Sequence, residues 1–191
     1  MSDSNRDVKM EIVHSFIREF NKKGHKATLD EVSANIHISK KTIYKYFSGK
    51  QDIYAYILAS SSRFVAQAQE AIFADPSLAT LDKFRKLLTI KTPFEDELDM
   101  NRLHELSEFE PEVYAATMSA YESQWVYFRA LLAQGKQEGV FKADANEEFL
   151  VGLFTAGMEM LYRQNLLKKI GMTYYEAICQ LAETIIFGIR A

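Results

Sequence analysis

Apolar residues recur every three or four positions along most of this 191-residue chain, and that period is typical of α-helices that pack one face inward. No stretch alternates apolar and polar residues over the length of a strand, so the expected fold class is all-α. Helices are predicted over about 6–22, 29–33, 40–47, 51–73, 80–92, 111–138, 147–169 and from 174 onward.

Capping residues, glycines and prolines predict where these helices begin and end. N-terminal caps are predicted at Thr28 with Glu31, Ser39, Ser48 with Gln51, Thr80, Asp144 with Glu147, and Thr173 with Glu176. Helix ends are predicted at Gly24, Asp75-Pro76, Thr92-Pro93, Gly139 and Gly171. The short spacing of these signals between Gly24 and Gln51 predicts three closely connected helices there.

The second of those short helices combines an apolar face with a basic face. Its inward side would hold Ile38, Ile43, Tyr44 and Phe47. Its outward side would hold Lys41, Thr42 and Lys45. Lys40 and Lys41 also occupy the first turn, where the helix dipole disfavours each cation by about 0.3–1 kcal/mol. This conflict indicates an anionic partner such as the phosphate backbone of duplex DNA, with a solvated lysine face as the alternative.

The order and spacing of residues 6–50 resemble the DNA-binding head of the tetracycline-repressor (TetR) family. That head carries T-x-x-x-[VI]-[AS], a short turn, S-x-x-T-[IL]-Y-x-[YH]-F and a small residue followed by Lys. The matching residues are Thr28, Val32-Ser33, Ser39, Thr42-Ile43-Tyr44, Tyr46-Phe47 and Gly49-Lys50. The turn departs from the family, which usually has Ala-Gly where this chain has Ile36-His37. Because the Gly position favours a left-handed backbone, we expect a strained or differently shaped turn.

This resemblance implies a homodimer that binds a palindromic double-stranded DNA operator. A three-helix head, residues 1–50, would hold the helix-turn-helix, and a long connector helix would join it to a helical ligand-binding and dimerisation domain, residues 51–191. A small-molecule effector in that domain would release the operator. The implied DNA-binding residues are Thr28, Ser39, Lys40, Lys41, Thr42, Tyr44, Lys45, Tyr46 and Lys50.

The charge distribution supports a nucleic-acid partner only after the chain is divided. The whole chain has a net charge of −3, but residues 1–63 carry 11 Lys and Arg against 7 Asp and Glu, and the remainder carries 12 against 19. A basic head on an acidic body is typical of a DNA-binding module joined to one that does not bind DNA. One cysteine, a polar N-terminus and the absence of a long apolar run indicate a cytoplasmic protein outside the membrane.

An acidic segment, residues 95–112, holds eight Asp and Glu residues around His104. His104 and Glu108 have the i, i+4 spacing of two metal ligands on a helix. No second His or Cys completes a coordination set, so we predict no metal site. A solvated, partly irregular acidic segment is the simpler expectation.

The predicted helix 111–138 carries more aromatic side chains than one helix needs for packing. Aromatic residues with polar tips often line pockets for apolar or planar ligands, and ordinary core packing is the alternative. The candidate pocket residues, chosen partly from the family resemblance, are Tyr114, Met118, Tyr121, Trp125, Phe128, Phe154, Met158 and Tyr162.

The last two predicted helices form a hairpin with more apolar surface than one hairpin would bury alone. The resemblance implies that a second copy of the chain covers this apolar surface in a two-fold, four-helix interface. Packing within the same chain is the alternative. The candidate dimer-interface residues are Phe149, Leu153, Ala156, Ile178, Leu181, Ala182, Ile185 and Ile189.

No catalytic or cofactor motif occurs in the sequence: G-x-S-x-G, a P-loop, G-x-G-x-x-G, H-E-x-x-H and C-x-x-C are all missing. Four scattered histidines and Cys179 make no evident nucleophile–base pair. We therefore predict no catalytic residue and no cofactor. The expected function is a ligand-responsive transcriptional regulator, most simply a repressor. A DNA-binding architectural or partner-recruiting protein without an effector is the alternative, and an enzyme with a basic head is a more distant one.

Overall fold

The computed structural model is helical, as the apolar period predicts, and describes residues 3–99, 102, 104–122, 125–163 and 166–191. Within these ranges it leaves out the side chains of residues 3–6, 104, 106, 107, 117, 118, 120–122, 162 and 163. The described residues contain one isolated bridge, between Phe141 and Arg190, and no strand. The all-α fold class is confirmed.

Eleven α-helices and one 3-10 helix lie in the described residues. The N-terminal elements are α1 (Asp3–Lys23), the 3-10 helix Gly24–Lys26, α2 (Leu29–Asn35), α3 (Lys40–Ile43) and α4 (Lys50–Ala74). The middle elements are α5 (Thr80–Leu88), α6 (His104–Phe109) and α7 (Pro111–Glu122). The C-terminal elements are α8 (Trp125–Gln137), α9 (Glu147–Arg163), α10 (Leu166–Ile170) and α11 (Tyr174–Ile189).

The chain forms two compact units, each built from two pieces of sequence. The first unit joins the chain up to Ser61 with Pro93–Thr117, and the second joins Ser62–Thr92 with Met118–Ala191. The sequence-based division at residue 50 stays a prediction about domains. The units show in addition that residues 93–117 pack with the N-terminal helices.

The first unit has its own apolar core. Phe16 and Phe20 of α1 and Ile53 and Ile57 of α4 are buried in it. Phe94, which precedes α6 by ten residues, is buried in the same cluster. Burial of a side chain of this size stabilises the fold by about 1.5–3 kcal/mol. The segment that contains Phe94 is therefore a structural part of this unit.

The second unit buries one face of each of its longer helices. Its core residues include Phe84, Leu131, Phe141, Leu150 and Ala182. Arg129 of α8 binds both Glu147 and Glu148 in the first turn of α9, at 2.6 and 2.8 Å. The two carboxylates also favour the positive end of the α9 dipole, so this ion pair and the helix terminus support each other.

Several predicted helix boundaries are confirmed. Both capping boxes, Thr28 with Glu31 and Thr173 with Glu176, are complete, and the Ser39 side chain caps α3. Helices end immediately before or near glycines in the left-handed region: Gly24 at φ 60°, Gly139 at φ 71° and Gly171 at φ 68°. These positions are the ones where glycine adopts the required backbone without steric cost.

Three predicted N-caps were wrong, two of them because a neighbouring side chain accepts the hydrogen bond instead. Ser48 pairs with Asp52 rather than Gln51, since the Asp52 carboxylate accepts from the Ser48 backbone N–H at 2.9 Å. Asn146, rather than Asp144, accepts from the backbone N–H of Phe149 at 2.9 Å. Ala79 is the N-cap of α5, and Thr80 is instead buried and accepts a hydrogen bond from Gln134.

Helix lengths also differ from the prediction. The segment predicted as helix 40–47 is regular α-helix over Lys40–Ile43 only, and the segment predicted as 80–92 ends at Leu88. The segment predicted as 111–138 is described as α7 and α8, and residues 123 and 124 between them lie outside the described residues. In the same way α9 and α10 cover the segment predicted as 147–169 on either side of residues 164 and 165.

Close packing of Gly135 on the Phe141 ring predicts a measurable stability effect. A Cβ atom at Gly135 would collide with the ring of Phe141, whereas a Cβ atom at Gly188 would meet nothing within 4 Å. Gly135→Ala should lower the free energy of unfolding by about 1–3 kcal/mol through overpacking. Gly188→Ala, the matched control, should leave it unchanged or raise it by up to about 1 kcal/mol. Urea unfolding followed by circular dichroism measures both, and equal effects would contradict the packing.

Candidate nucleic-acid interface

The turn between α2 and α3 has an unusual backbone at His37. Its φ is 53°, the one positive value at a non-glycine residue in the part of the chain that the structure describes. The turn is closed by a backbone hydrogen bond from Ile38 to Ser33 at 3.1 Å. His37 therefore adopts the left-handed conformation, which costs a non-glycine residue about 1 kcal/mol or more and agrees with the expectation of a strained turn.

Helix α3 is short and is held by its cap and by its core contacts. The Ser39 hydroxyl oxygen accepts a hydrogen bond from the backbone N–H of Thr42 at 3.1 Å. Beyond Ile43 the backbone bonds tighten to i, i+3, from Lys45 to Thr42 and from Tyr46 to Ile43. Ile43 and Phe47 are buried in the core of the first unit. These two anchors fix which side of the segment faces outward.

The prediction that Tyr44 packs inward was wrong. Its side chain is 56% exposed, whereas Ile43 is fully buried and Ile38 is half-buried against the same core. The rotation of about 100° per residue along a helix carries Tyr44 away from Ile43 and toward the basic side. Tyr44 is therefore accessible from outside, as the predicted DNA contact requires.

The lysines at the start of this helix differ in their partners. The Lys40 ammonium binds the Asp30 carboxylate of α2 at 2.5 Å, and this hydrogen bond raises the pKa of Lys40. Lys41 and Lys45 are exposed and make no ion pair with a described residue. Two uncompensated cations on one side of a short helix form a surface that attracts polyanions. The basic side of α3 comprises Lys41 of the helix together with Tyr44 and Lys45 of the turn that follows it.

The remaining predicted contact residues are partly engaged within the protein. The Thr28 side chain caps α2, and the Ser39 and Thr42 hydroxyl oxygens lie 3.0 Å apart. Tyr46 is half-buried against the core of the first unit. The Lys50 ammonium donates to the His25 carbonyl oxygen at 2.6 Å. Lys50 is thus held at the first turn of α4.

Glu19 is a buried carboxylate that the sequence pattern did not single out. It accepts hydrogen bonds from Lys22 and from the Asn35 amide, each at 2.8 Å. The bonds from Lys22 and Asn35 lower the pKa of Glu19 despite its burial. The Asn35 bond joins α1 to the last residue of α2, immediately before the His37 turn.

The acidic segment packs on the N-terminal helices through part of its length, while Asp96, Glu97, Glu108 and Glu112 are exposed, as expected of a solvated segment. Glu97 binds His14 of α1 at 2.7 Å, and its carbonyl oxygen accepts from the Asn21 amide at 2.5 Å. Asn21 in turn accepts from the backbone N–H of Asp99 at 2.8 Å. Glu105 binds His25. Apolar Phe94 and Leu98 bring these carboxylates to the unit, which a charge count alone does not reveal.

The candidate ligand-pocket residues divide between the two units. Trp125 contacts Phe128 and Phe154 edge-on, with ring centroids 5.4 and 5.9 Å apart, and Met158 packs against the same cluster in the second unit. Tyr114 packs against the core of the first unit. The side chains of Met118, Tyr121 and Tyr162 lie outside the described residues. The described members of the set in the second unit thus surround one aromatic cluster.

A small apolar cavity lies in the first unit. It is lined by Phe16, Ile17, Phe20, Tyr54, Ile57, Leu58 and Leu98 and holds about 10 Å³. That volume is about the minimum for one water molecule. This cavity is far too small for an organic effector in the conformation described.

The candidate dimer residues fall into an exposed set and a buried set. Phe149, Leu153 and Ala156 of α9 are exposed. The α11 residues Ile178, Ala182, Ile185 and Ile189 are buried in the second unit's own core, and Leu181 packs against that core. Phe187, which was not in the set, is 85% exposed on α11. The exposed apolar residues of α9 and α11 therefore include Phe149, Leu153, Ala156 and Phe187.

No group of three or more His, Cys, Asp and Glu side chains is arranged to hold a metal ion in the part of the chain that the structure describes. No described helix combines the length and apolar character that a membrane span needs.

Comparison with known proteins identifies the N-terminal helices. Residues 12–57 match the model of the bacterial regulatory proteins of the tetR family. The Bacillus subtilis (strain 168) protein "Uncharacterized HTH-type transcriptional regulator YvaF" is 22% identical over 180 residues, which are 94% of each chain.

Solved structures share the whole fold. The TetR family transcriptional regulator PfmR from Thermus thermophilus has a TM-score of 0.70 at 19% identity, covering 94% of this chain and 99% of that one. The fatty acid degradation regulator FadR from Bacillus halodurans has a TM-score of 0.69 at 15% identity, covering 95% and 96%. Residues 12–57 therefore match the DNA-binding region of the bacterial regulatory proteins of the tetR family, and the chain as a whole has the fold of solved TetR-family regulators.

Proposed function

We propose that this protein is a cytoplasmic, homodimeric repressor that leaves its operator when a small apolar or aromatic molecule binds the second unit. The observation that carries the proposal is the basic side of α3, on which Lys41 and Lys45 are exposed and have no ion-pair partner among the described residues. DNA phosphates or guanine edges would supply the missing negative charge or acceptors.

In the proposed complex, α3 lies in the major groove with Lys41, Tyr44 and Lys45 toward the bases or the flanking phosphates. Side chains that contact the DNA phosphate backbone would set the register of the protein on the duplex. These side chains are Thr28, Ser39, Tyr46 and Lys50, with Lys40 and Thr42 nearby. Two heads of a dimer would occupy major grooves about one helical turn apart, roughly 34 Å, on a palindromic site.

The proposed effector site is the aromatic cluster of Trp125, Phe128, Phe154 and Met158. Its apolar lining supports a ligand with an acyl chain or an aromatic ring. The structural likeness to a regulator named for fatty acid degradation supports the same class of ligand. Binding would favour a conformer whose heads no longer match the operator, with a typical coupling of about 1–3 kcal/mol.

One observation favours a second candidate function. Phe128 and Phe154 are almost fully buried in packed core, and the cavity of about 10 Å³ lies elsewhere, in the first unit. An aromatic cluster packed as ordinary core is what an architectural or partner-recruiting DNA-binding protein would contain. The effector experiment below separates the two functions.

Removing the two unpaired lysines should weaken DNA binding. Lys41→Ala combined with Lys45→Ala should lower affinity for a duplex selected from a randomised pool by at least about tenfold and reduce the salt slope by as much as about 1.8. Fluorescence anisotropy at salt concentrations from about 50 to about 200 mM measures both quantities.

The matched control is Lys168→Ala combined with Lys169→Ala, which removes two exposed lysines from α10 in the second unit. It should leave both quantities unchanged. Equal losses in the two double variants would show that net charge, rather than α3, accounts for binding.

The single tryptophan offers a test for the effector. Fatty acids, acyl thioesters and aromatic acids that bind the cluster should change Trp125 fluorescence saturably, raise the melting temperature and release the selected duplex. Trp125→Phe should remove the fluorescence change while keeping the ligand-induced melting shift. If compounds bind without releasing DNA, or if no compound in the set binds, the partner-recruiting alternative is favoured.

The outer face of α9 should hold the dimer together. Phe149→Glu combined with Leu153→Glu should convert a dimer to a monomer in analytical ultracentrifugation, because two charges would replace the apolar contact. Val126→Glu is the control, since Val126 is an exposed apolar residue of α8. A double variant that stays dimeric would place the interface on another surface.

A further inference from the structure

Two residues of α6, Glu105 and Phe109, contact His25 in the first unit. The Glu105 carboxylate accepts from the His25 backbone N–H at 3.0 Å and lies 3.2 Å from the ring Nδ1. The Phe109 ring stacks on the His25 ring with centroids 3.6 Å apart and planes at 15°. Glu105 and Phe109 are spaced i, i+4, so both project from one side of α6.

The approach of Glu105 depends on a glycine. A Cβ atom at Gly24 would collide with the Glu105 carboxylate, and Gly24 also has φ 60°. Only glycine meets both requirements without strain. The loop that leads from α1 to α2 can therefore accept this carboxylate only because residue 24 is glycine.

Glu105 is itself held in place from the other side. Arg102 donates from Nη1 to Glu105 at 3.0 Å and from Nη2 to the Lys22 carbonyl oxygen at 3.4 Å. Burial raises the pKa of Glu105, but the His25 bonds and Arg102 outweigh it and lower that pKa. The carboxylate is thus an ionised acceptor, which makes stronger hydrogen bonds than a neutral one.

The same histidine holds Lys50. The His25 carbonyl oxygen accepts from the Lys50 ammonium at 2.6 Å. A carbonyl is neutral, so Lys50 keeps its full charge and two further N–H donors. A lysine restrained in this way has lost part of its rotamer freedom before it meets a phosphate.

We propose that Glu105 is a positioning residue for DNA binding: it fixes His25, and His25 holds the Lys50 ammonium where it contacts an operator phosphate. The inference rests on the proposed function, because it assumes that Lys50 contacts DNA. It adds a link from α6, some fifty residues further along the chain, to a contact at the start of α4. An acidic residue is thereby expected to strengthen binding to a polyanion.

A double-mutant cycle tests this link. Glu105→Gln should weaken binding to the selected duplex by about three- to tenfold, although it removes a negative charge. Lys50→Ala should weaken it by about tenfold and reduce the salt slope by about 0.9. In the Lys50→Ala background, Glu105→Gln should have no further effect beyond about twofold. Fluorescence anisotropy gives the affinities, and thermal melting confirms that each variant is folded at the assay temperature.

Two variants separate positioning from charge. Glu97→Gln removes a negative charge from the same segment at its contact with His14, and it should not weaken binding. Glu105→Asp keeps the charge but shortens the reach, and it should weaken binding as Glu105→Gln does. Stronger binding of Glu105→Gln, with Glu105→Asp unchanged, would show a charge effect and overturn the inference.

The outcomes also distinguish this inference from the proposed function. Additive effects of Glu105→Gln and Lys50→Ala would show that Glu105 has only a structural role and would overturn the inference alone. If Lys50→Ala is without effect while the Lys41 and Lys45 variant loses binding, the inference again fails and the proposed function stands. Unchanged binding in all of these variants would overturn both.

Discussion

The short helix α3 depends on burial of two side chains, Ile43 and Phe47. An isolated helix of four regular residues has too few hydrogen bonds to offset the entropy of forming it. Its conformation is therefore set by the core beneath it and by the Ser39 cap. Lys41, Tyr44 and Lys45 are exposed while these anchors are buried, so the core contact determines which residues of this segment face solvent. Any change that loosens Ile43 or Phe47 would disperse the charges that the proposed operator complex needs.

The core that supports α3 is completed from a distant part of the sequence. Phe94 and Leu98 enter it, and Glu97, Asp99 and Glu105 bind α1 and the loop that follows it. Apolar burial supplies most of the free energy of this attachment, and the charge-assisted hydrogen bonds specify its register. A segment rich in carboxylates thus lies against the first unit, with Glu97 and Glu105 bound to His14, His25 and Arg102. The basic side of α3 remains exposed.

The sequence allowed the helical fold, the turn at His37 and the basic face of α3 to be predicted, because each follows from a local pattern. Periodicity, the two Thr-to-Glu capping boxes and the left-handed glycines act over about four residues or fewer. The attachment of residues 93–117 joins groups about eighty positions apart, and no local pattern encodes it. The burial of Ile178, Ala182, Ile185 and Ile189 within their own unit has the same origin. An apolar stripe predicts that one face of a helix is buried, but it does not predict whether that face packs against the same chain or against a second copy.

The central claim is that core packing presents the basic side of α3 to the major groove of DNA. A crystal structure with a duplex selected from a randomised pool tests it most directly. The account predicts α3 in the major groove, with the Lys41 and Lys45 ammonium groups within about 3.2 Å of base-edge or phosphate oxygens. A complex in which α3 faces solvent and another surface contacts the duplex would contradict it.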